Sequence, residues 1–410
     1  MNILYFHQHF STPSGATGIR SYEMARFLAE HGHSVTMVCG SYGAGKTGLD
    51  TPFRNGVRSG FVAGFRVIEF ELPYSNRDGF LKRTWTFLRF AFQSIKLVFS
   101  EEFELLFATS TPLTAAIPGI VARLFNKGRF VFEVRDLWPE LPRAMGVISN
   151  PLVLFGMALL ERIAYHSAHR CIGLSPGICA GIKKKHFPGT RVDLIPNGCD
   201  LEIFRSEARL EPASISPTDF VAVYSGTHGI ANGLDAVLDA ANVLKSRGRK
   251  DIKIVFIGEG KTKESLIQKA RQNDLDNCLF LPPMNKGDLA ALLNRANLGL
   301  MILANVPAFY YGTSPNKFFD YIAAGKPVLN NYPGWLADMI TEWNCGFAIE
   351  SGKPEIFADT LEKAADNRNL LHTMGANGRR LAAAKFDRRK LARLFTDSLE
   401  KAVYPCGSAE

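Results

Sequence analysis

None of the seven cysteines (39, 171, 179, 199, 278, 345 and 406) forms a Cys-x-x-Cys pair, and no histidine cluster has metal spacing. An odd, scattered set fits a reduced compartment and argues against a structural zinc site. Long hydrophobic runs are missing too. Leu152 to Leu160 is apolar, but it is too short for a membrane span and Glu161 ends it. The opening MNILYFHQHF has neither a basic n-region nor a long apolar stretch, so no signal peptide is expected. G-x-G-x-x-G, the dinucleotide fingerprint, does not occur, and neither does a repeat or a low-complexity tract. These absences lead to the expectation of a cytoplasmic protein that is not integral to a membrane.

With 410 residues, 46% hydrophobic and 21% charged, the chain has the composition of a globular protein with room for two cores. Its net charge of +9 is unevenly spread. Residues 1–205 hold 23 lysines and arginines against 16 acidic residues, a net +7. Such a half suits an anionic partner: nucleic acid, a phosphorylated substrate or a membrane surface.

Short apolar runs such as NILYF (2–6), RFVFEV (129–134), FVAVY (220–224) and IKIVFI (252–257) alternate with helical patterns along the whole chain. Continuously apolar strands between helices imply parallel sheets covered on both faces. The expected fold class is α/β, with two Rossmann-like, doubly wound domains in series. The expected spans are 1–204 and 205–385, joined by the polar stretch after Phe204. A basic C-terminal helix, 386–410, is expected to brace the first domain. In open parallel sheets ligands sit at the carboxyl ends of strands, so two facing sets of loops predict an interdomain cleft.

The loops carry the chemistry. Gly15, Ala16, Thr17 and Gly18 precede a helix start at which Arg20 adds positive charge, a weak anion-site pattern. Arg135, Asp136 and Trp138 share a loop after a buried strand; they suit either catalysis or an Arg–Asp pair that stiffens the loop. His7 and His9 fit ordinary loop histidines. In SPNKFFDYIAAGKPV (314–328), Ser314 reads as the N-cap and Pro315 as the first helical residue, while Gly325 stops the helix. A lysine in a first turn opposes the helix dipole. Lys317 makes sense if an anion sits beside Asn316 and the free N–H groups, with Asp320 reaching a neutral part of the same ligand. An ordinary capped helix with both charges in water fits as well, and the fragment alone favours it. Asp274 and Asp276 precede a strand and read as a solvated turn, so no metal is required.

Several segments, in order, resemble family-4 glycosyltransferases of the two-domain GT-B type. They are GIRSYEMARFLAEHGHSVTMVCG, IPNGCD, YSGTHGIANGLDAVLDAANVL, VFIGEGKTKESLIQKARQNDLDNCLFLPPMN and SPNKFFDYIAAGKPVL. VRDLWPE looks like a narrower branch that assembles bacterial surface polysaccharides, L-fucosamine transferases among them. The resemblance implies transfer with retention from a nucleotide sugar, a UDP-sugar, with no cofactor beyond that substrate. It puts the nucleotide among Gly226, Asn232, Glu259, Pro283, Met284, Pro315, Asn316, Lys317 and Asp320, with Gly15, Thr17, Gly18 and Arg20 on the opposite side. It implies catalytic roles for Lys317, Arg135 and Asp136, and ribose binding for Asp320. The chain departs from the family at Gly312, where a glutamate is usual, and at Asn232, near the usual lysine. The competing readings are a sugar-nucleotide epimerase and a catalytically silent nucleotide-sugar scaffold.

Residues 79–99 form one more pattern. Leu81, Trp85, Leu88, Phe92, Ile95 and Phe99 make a helical stripe expected to cover the core, and Lys82, Arg89 and Lys96 recur every seven residues on another face beside Arg83. The extra phenylalanines and the basic face predict docking on the anionic inner face of the cell membrane, where a polyprenyl-diphosphate-linked acceptor would be met. Nucleic acid is not an expected partner.

Overall fold

The computed structural model describes residues 1–15, 17–43, 45–75, 78–185, 191–205 and 207–404; Ala16 and Cys406 lie outside them. Two compact units emerge. The first comprises Met1–Asn197, Tyr311–Ser314 and Arg388–Glu410, and the second Gly198–Tyr310 and Pro315–Asp387.

In the first unit β1 (Asn2–Phe6), α1 (Arg20–Glu30), β2 (Ser34–Tyr42), β3 (Val57–Val62), β4 (Phe65–Tyr74), α2 (Phe80–Ser100), β5 (Leu105–Thr109), α3 (Ile117–Leu124), β6 (Arg129–Val134), α4 (Glu140–Ala144), α5 (Pro151–Ser167), β7 (Arg170–Gly173), α6 (Pro176–Lys185) and β8 (Arg191–Leu194) follow one another. The sheet order is β3-β4-β2-β1-β5-β6-β7-β8. Only β3 runs antiparallel, against β4. Alternate residues of β1 face opposite cores: Leu4 and Phe6 join Phe90, Phe130 and Ala164, whereas Ile3 and Tyr5 join Met24, Leu28 and Phe395.

The second unit runs β9 (Phe220–Ser225), α7 (Asp235–Ser246), β10 (Ile252–Ile257), α8 (Lys263–Gln272), β11 (Cys278–Leu281), α9 (Lys286–Arg295), β12 (Leu298–Met301), α10 (Pro307–Gly312, ending in the first unit), α11 (Asn316–Ala323), β13 (Val328–Asn330), α12 (Trp335–Glu342), β14 (Gly346–Ala348), α13 (Pro354–Asp366) and α14 (Arg368–Leu381). Its six strands, in the order β11-β10-β9-β12-β13-β14, are all parallel. The last helix, α15 (Arg388–Val403), belongs to the first unit, where Phe395 packs edge-on 5.0 Å from Phe107.

The first segment ends at Asn197, ahead of Phe204. Residues 195–197 still serve the first unit: Arg20 donates to the Ile195 and Pro196 carbonyls, and Asn197 bonds Ser314. Cys199 already bonds Phe386 in the second.

α2 corrects the helical-stripe expectation. Its buried face is Thr86, Phe90, Ala91, Ser94 and Val98. Leu81, Trp85 and Phe92 are 82%, 62% and 62% exposed, and Phe99 is exposed as well. Both faces of α2 carry large apolar residues, so periodicity locates the helix but not its inner side. Leu152 and Phe155 at the start of α5, and Phe125 after α3, are exposed too. Among the described residues no helix is long and apolar enough to cross a membrane.

Candidate functional site

Strand order reverses beside β1 in the first sheet and beside β9 in the second, and ligands of such sheets bind where order reverses, beyond the carboxyl ends. In the second unit that place is filled by Gly226, His228, Asn232 and the start of α11. Gly226 has φ +146°, and a Cβ there would lie 3.1 Å from Lys317 Cε. Gly258, at φ +142°, lets its loop press on the Gly226 carbonyl, which a Cβ would meet at 1.9 Å. Glycine is thus required at both positions, and the two post-strand loops lock together: His228 N donates to the Glu259 carbonyl, and Thr262 N to the His228 carbonyl.

Lys317 is half-buried against this pair of loops. Its Nζ donates to Tyr224 Oη at 3.2 Å and Asn232 Oδ1 at 3.3 Å, and lies 4.5 Å from the Tyr224 ring centroid. No carboxylate pairs with it among the described residues. Burial pushes its pKa down to about 7. A desolvated ammonium without a carboxylate, beside the N–H groups of a helix start, has the chemistry to take an anion. α11 begins at Asn316 with Pro315, not Ser314, at its N-cap; Pro315 is extended at φ −74°, ψ 131° and no side chain caps the helix. Ser314 instead accepts from Asn197 N in the first unit.

Asp320 is buried, and both its carboxylate oxygens lie 2.5 Å from Lys286 Nζ. Its expected freedom to meet a ligand alone is therefore corrected: it acts as half of an ion pair. Lys286 opens α9 and went unnoticed in the sequence, because nothing local links it to Asp320. His228 was missed as well. Its ring is fully buried among Tyr224, Phe256 and Phe280, and neither nitrogen completes a hydrogen bond. Burial, then Lys263, lowers its pKa to about 4, so it is neutral. Glu259 and Pro283 are exposed and Met284 is half-buried, all in loops following strands. Asp274 sits in the turn after α8 at φ 47°, near Lys245. Among the described residues no group of three or more His, Cys, Asp or Glu is placed to hold a metal ion.

In the first unit Arg20 is corrected outright. Its guanidinium is fully buried, donates from Nε and Nη2 to Glu133 Oε2 at 2.9 and 2.8 Å, and donates further from Nη2 to the Ile195 carbonyl and from Nη1 to the Pro196 carbonyl. Four of its five N–H donors are engaged and its charge is met by Glu133, so it is closed to a phosphate. Gly15, Thr17 and Gly18 lie in the loop ahead of it, with Thr17 Oγ1 buried and unpartnered.

Arg135 and Asp136 do not pair with each other. Arg135 Nη1 lies 3.4 Å from His7 Nε2, and Asp136 Oδ2 accepts from Thr111 Oγ1 at 3.2 Å. Burial raises the Asp136 pKa, opposed by Arg135 and the Thr111 bond. Burial, then Arg135, keeps both histidines neutral: His7 far below its ordinary value and His9 at about 3. The Arg135 contact assigns the His7 proton to Nδ1, which has no partner. His7, Arg135, Asp136 and Thr111 thus gather where strand order reverses. Lys82, Trp85, Arg89 and Lys96 are exposed on α2, whereas Arg83 turns inward over the Tyr74 ring at 5.7 Å.

Both units match family models. Residues 15–198 match the glycosyl transferase 4-like domain, and residues 207–381 match glycosyl transferases group 1. The chain belongs to this group 1, glycosyltransferase 4-like family and has the GT-B class of fold: two domains built on largely parallel sheets. A capsular polysaccharide biosynthesis glycosyltransferase, CapM of Staphylococcus aureus, is 22% identical over 302 residues, covering 71% of this chain and 75% of that one. Sucrose-phosphate synthase from Thermosynechococcus elongatus superposes with a TM-score of 0.76 at 16% identity, over 99% of this chain and 100% of that one. HepE from Anabaena, solved with UDP and glucose, gives 0.67 at 17%, over 98% and 100%.

Proposed function

We propose that this glycosyltransferase moves a sugar, with retention, from a UDP-sugar to a lipid-diphosphate-linked saccharide in the assembly of a bacterial surface polysaccharide. The observation that carries the reading is Lys317, a desolvated cation without a carboxylate at the start of α11. In this reading the β-phosphate of UDP lies against Lys317 and the first N–H groups of α11. The bond from the anomeric carbon to the phosphate oxygen breaks, and its electron pair leaves with UDP. Lys317 stabilises the charge that grows there. The acceptor hydroxyl oxygen forms the new bond to the same face of the sugar, and its proton passes to the leaving phosphate oxygen, which has gained the electron pair of the broken bond. Asp320, held by Lys286, keeps lone pairs for the ribose hydroxyls. The UDP bound by HepE and the part of CapM in capsular polysaccharide biosynthesis support donor and pathway. A UDP-N-acetyl-amino sugar, UDP-L-FucNAc among them, is the donor class that the VRDLWPE branch favours.

The exposed apolar ridge of α2, flanked by Arg89 and Lys96, supports peripheral attachment to the inner membrane face. Replacing Leu81, Trp85 and Phe92 by serine is expected to abolish sedimentation with anionic vesicles. Thermal stability should hold, because these side chains face water. The function itself is tested by incubating the protein with a panel of UDP-sugars and polyprenyl-diphosphate saccharides. Transfer from one donor supports it. Turnover of the nucleotide sugar without any acceptor would favour an epimerase, and UDP binding without turnover a silent scaffold.

A further inference from the structure

A cavity of 720 Å³ lies at the carboxyl ends of β2 and β4 in the first unit, clear of the reversal point itself. Its walls include Tyr42 and Tyr74 from the strand ends, Ser14 and Ser41, and six charged residues, of which Arg58–Glu69 and Lys82–Asp78 are ion pairs and Lys46 and Asp50 are the other two. The volume falls within the range of about 300–1,000 Å³ typical of small-molecule pockets.

The walls are fixed by bonds unrelated to any ligand. Thr12 N and Oγ1 both donate to the Lys46 carbonyl, at 2.7 and 2.8 Å, and Lys46 N donates to Ser11 Oγ. Glu69 in the same lining is buried and accepts from Thr47 Oγ1 and Arg58. Lys46 and Asp50, by contrast, are exposed, and neither forms an ion pair among the described residues. A preformed cavity with aromatic faces, hydroxyls and one free charge of each sign has the chemistry of saccharide recognition. Ring faces take the C–H side of a sugar, and the polar groups take its hydroxyls.

Two further contacts say which saccharide. Tyr42 and Tyr74 lie 5.2 and 4.4 Å from His9, so the cavity shares a wall with the loop that leads to His7 and Arg135. Lys82, which also lines the cavity, stands in the first turn of α2 beside the exposed Leu81 and Trp85. The tyrosine wall is thus backed by the loop after β1, and the rim at Lys82 adjoins the apolar ridge.

We infer that this cavity holds the saccharide head of the lipid-linked acceptor, with Lys46 and Asp50 selecting it. The inference rests on the glycosyltransferase reading above and gives its acceptor a place. Lys46→Ala/Asp50→Ala tests it, since both side chains are exposed and the fold does not depend on them. Wild type and variant are compared on an array of bacterial oligosaccharides, and both are titrated with UDP by calorimetry. The expected result is roughly tenfold or greater weakening of saccharide retention in the variant, with UDP affinity unchanged. Equal retention by the two proteins, or no saccharide retained by wild type, overturns the inference. Saccharide binding without UDP binding would leave the cavity assignment standing and sink the UDP-sugar reading instead.

Discussion

Arg20 and Lys317 look alike in the sequence and are opposites in the structure. Each stands in the first turn of a helix beyond a glycine-bearing loop, in one unit each. Arg20 meets Glu133, is fully buried and has four of its five N–H donors engaged. Lys317 meets only a phenol and an amide. A cation at a helix start therefore marks a ligand site only when the protein withholds its counter-charge. The titratable groups gathered at the reversal point of the first unit are instead His7, Arg135 and Asp136.

The comparison breaks most visibly if Arg20 is removed. Arg20→Met leaves Glu133 buried and unpaired, which costs about 3–5 kcal/mol. Denaturant unfolding should show that loss, while UDP affinity of the folded protein stays the same. A weakened UDP affinity with normal stability would make Arg20 a ligand residue after all. Asp320→Ala should weaken UDP and uridine alike, by roughly 1–3 kcal/mol, because it acts on the ribose and frees a half-buried Lys286. Weakening of UDP alone would move Asp320 from ribose to phosphate.

A smaller effect sharpens the contrast. Burial lowers the Lys317 pKa to about 7, and a bound phosphate favours its charged form. Nucleotide binding then takes up a proton above neutrality, and UDP affinity falls as pH rises from about 7 to 9. Calorimetry in buffers of different ionisation enthalpy measures that uptake. Lys317→Arg, permanently charged, should flatten the pH dependence. The smallest expected effect is none: transfer should survive EDTA. Loss of activity restored by Mg²⁺ or Mn²⁺ would turn attention back to Asp274 and Asp276.

Much of this was legible in the sequence, and the rest was hidden for physical reasons. Buried parallel strands such as RFVFEV and IKIVFI stand out because both faces are apolar. β3 did not, since VRSGFV is a half-polar, solvent-facing edge, and β14 is only three residues long. The family pattern put Lys317 and Asn232 in one nucleotide-binding set, and the structure joins them by a hydrogen bond. Arg20 was misread because its partner lies 113 residues away. The Lys286–Asp320 pair and the buried His228 depend on tertiary packing that no local pattern encodes.

The central claim is that Lys317 meets phosphate. Calorimetric titration of wild type and Lys317→Ala with UDP and with uridine tests it most directly. A desolvated lysine–phosphate contact is worth about 1.5–3 kcal/mol, so UDP should weaken by roughly ten- to a hundredfold in the variant while uridine is unchanged. Equal weakening of both ligands, or of neither, would contradict the account.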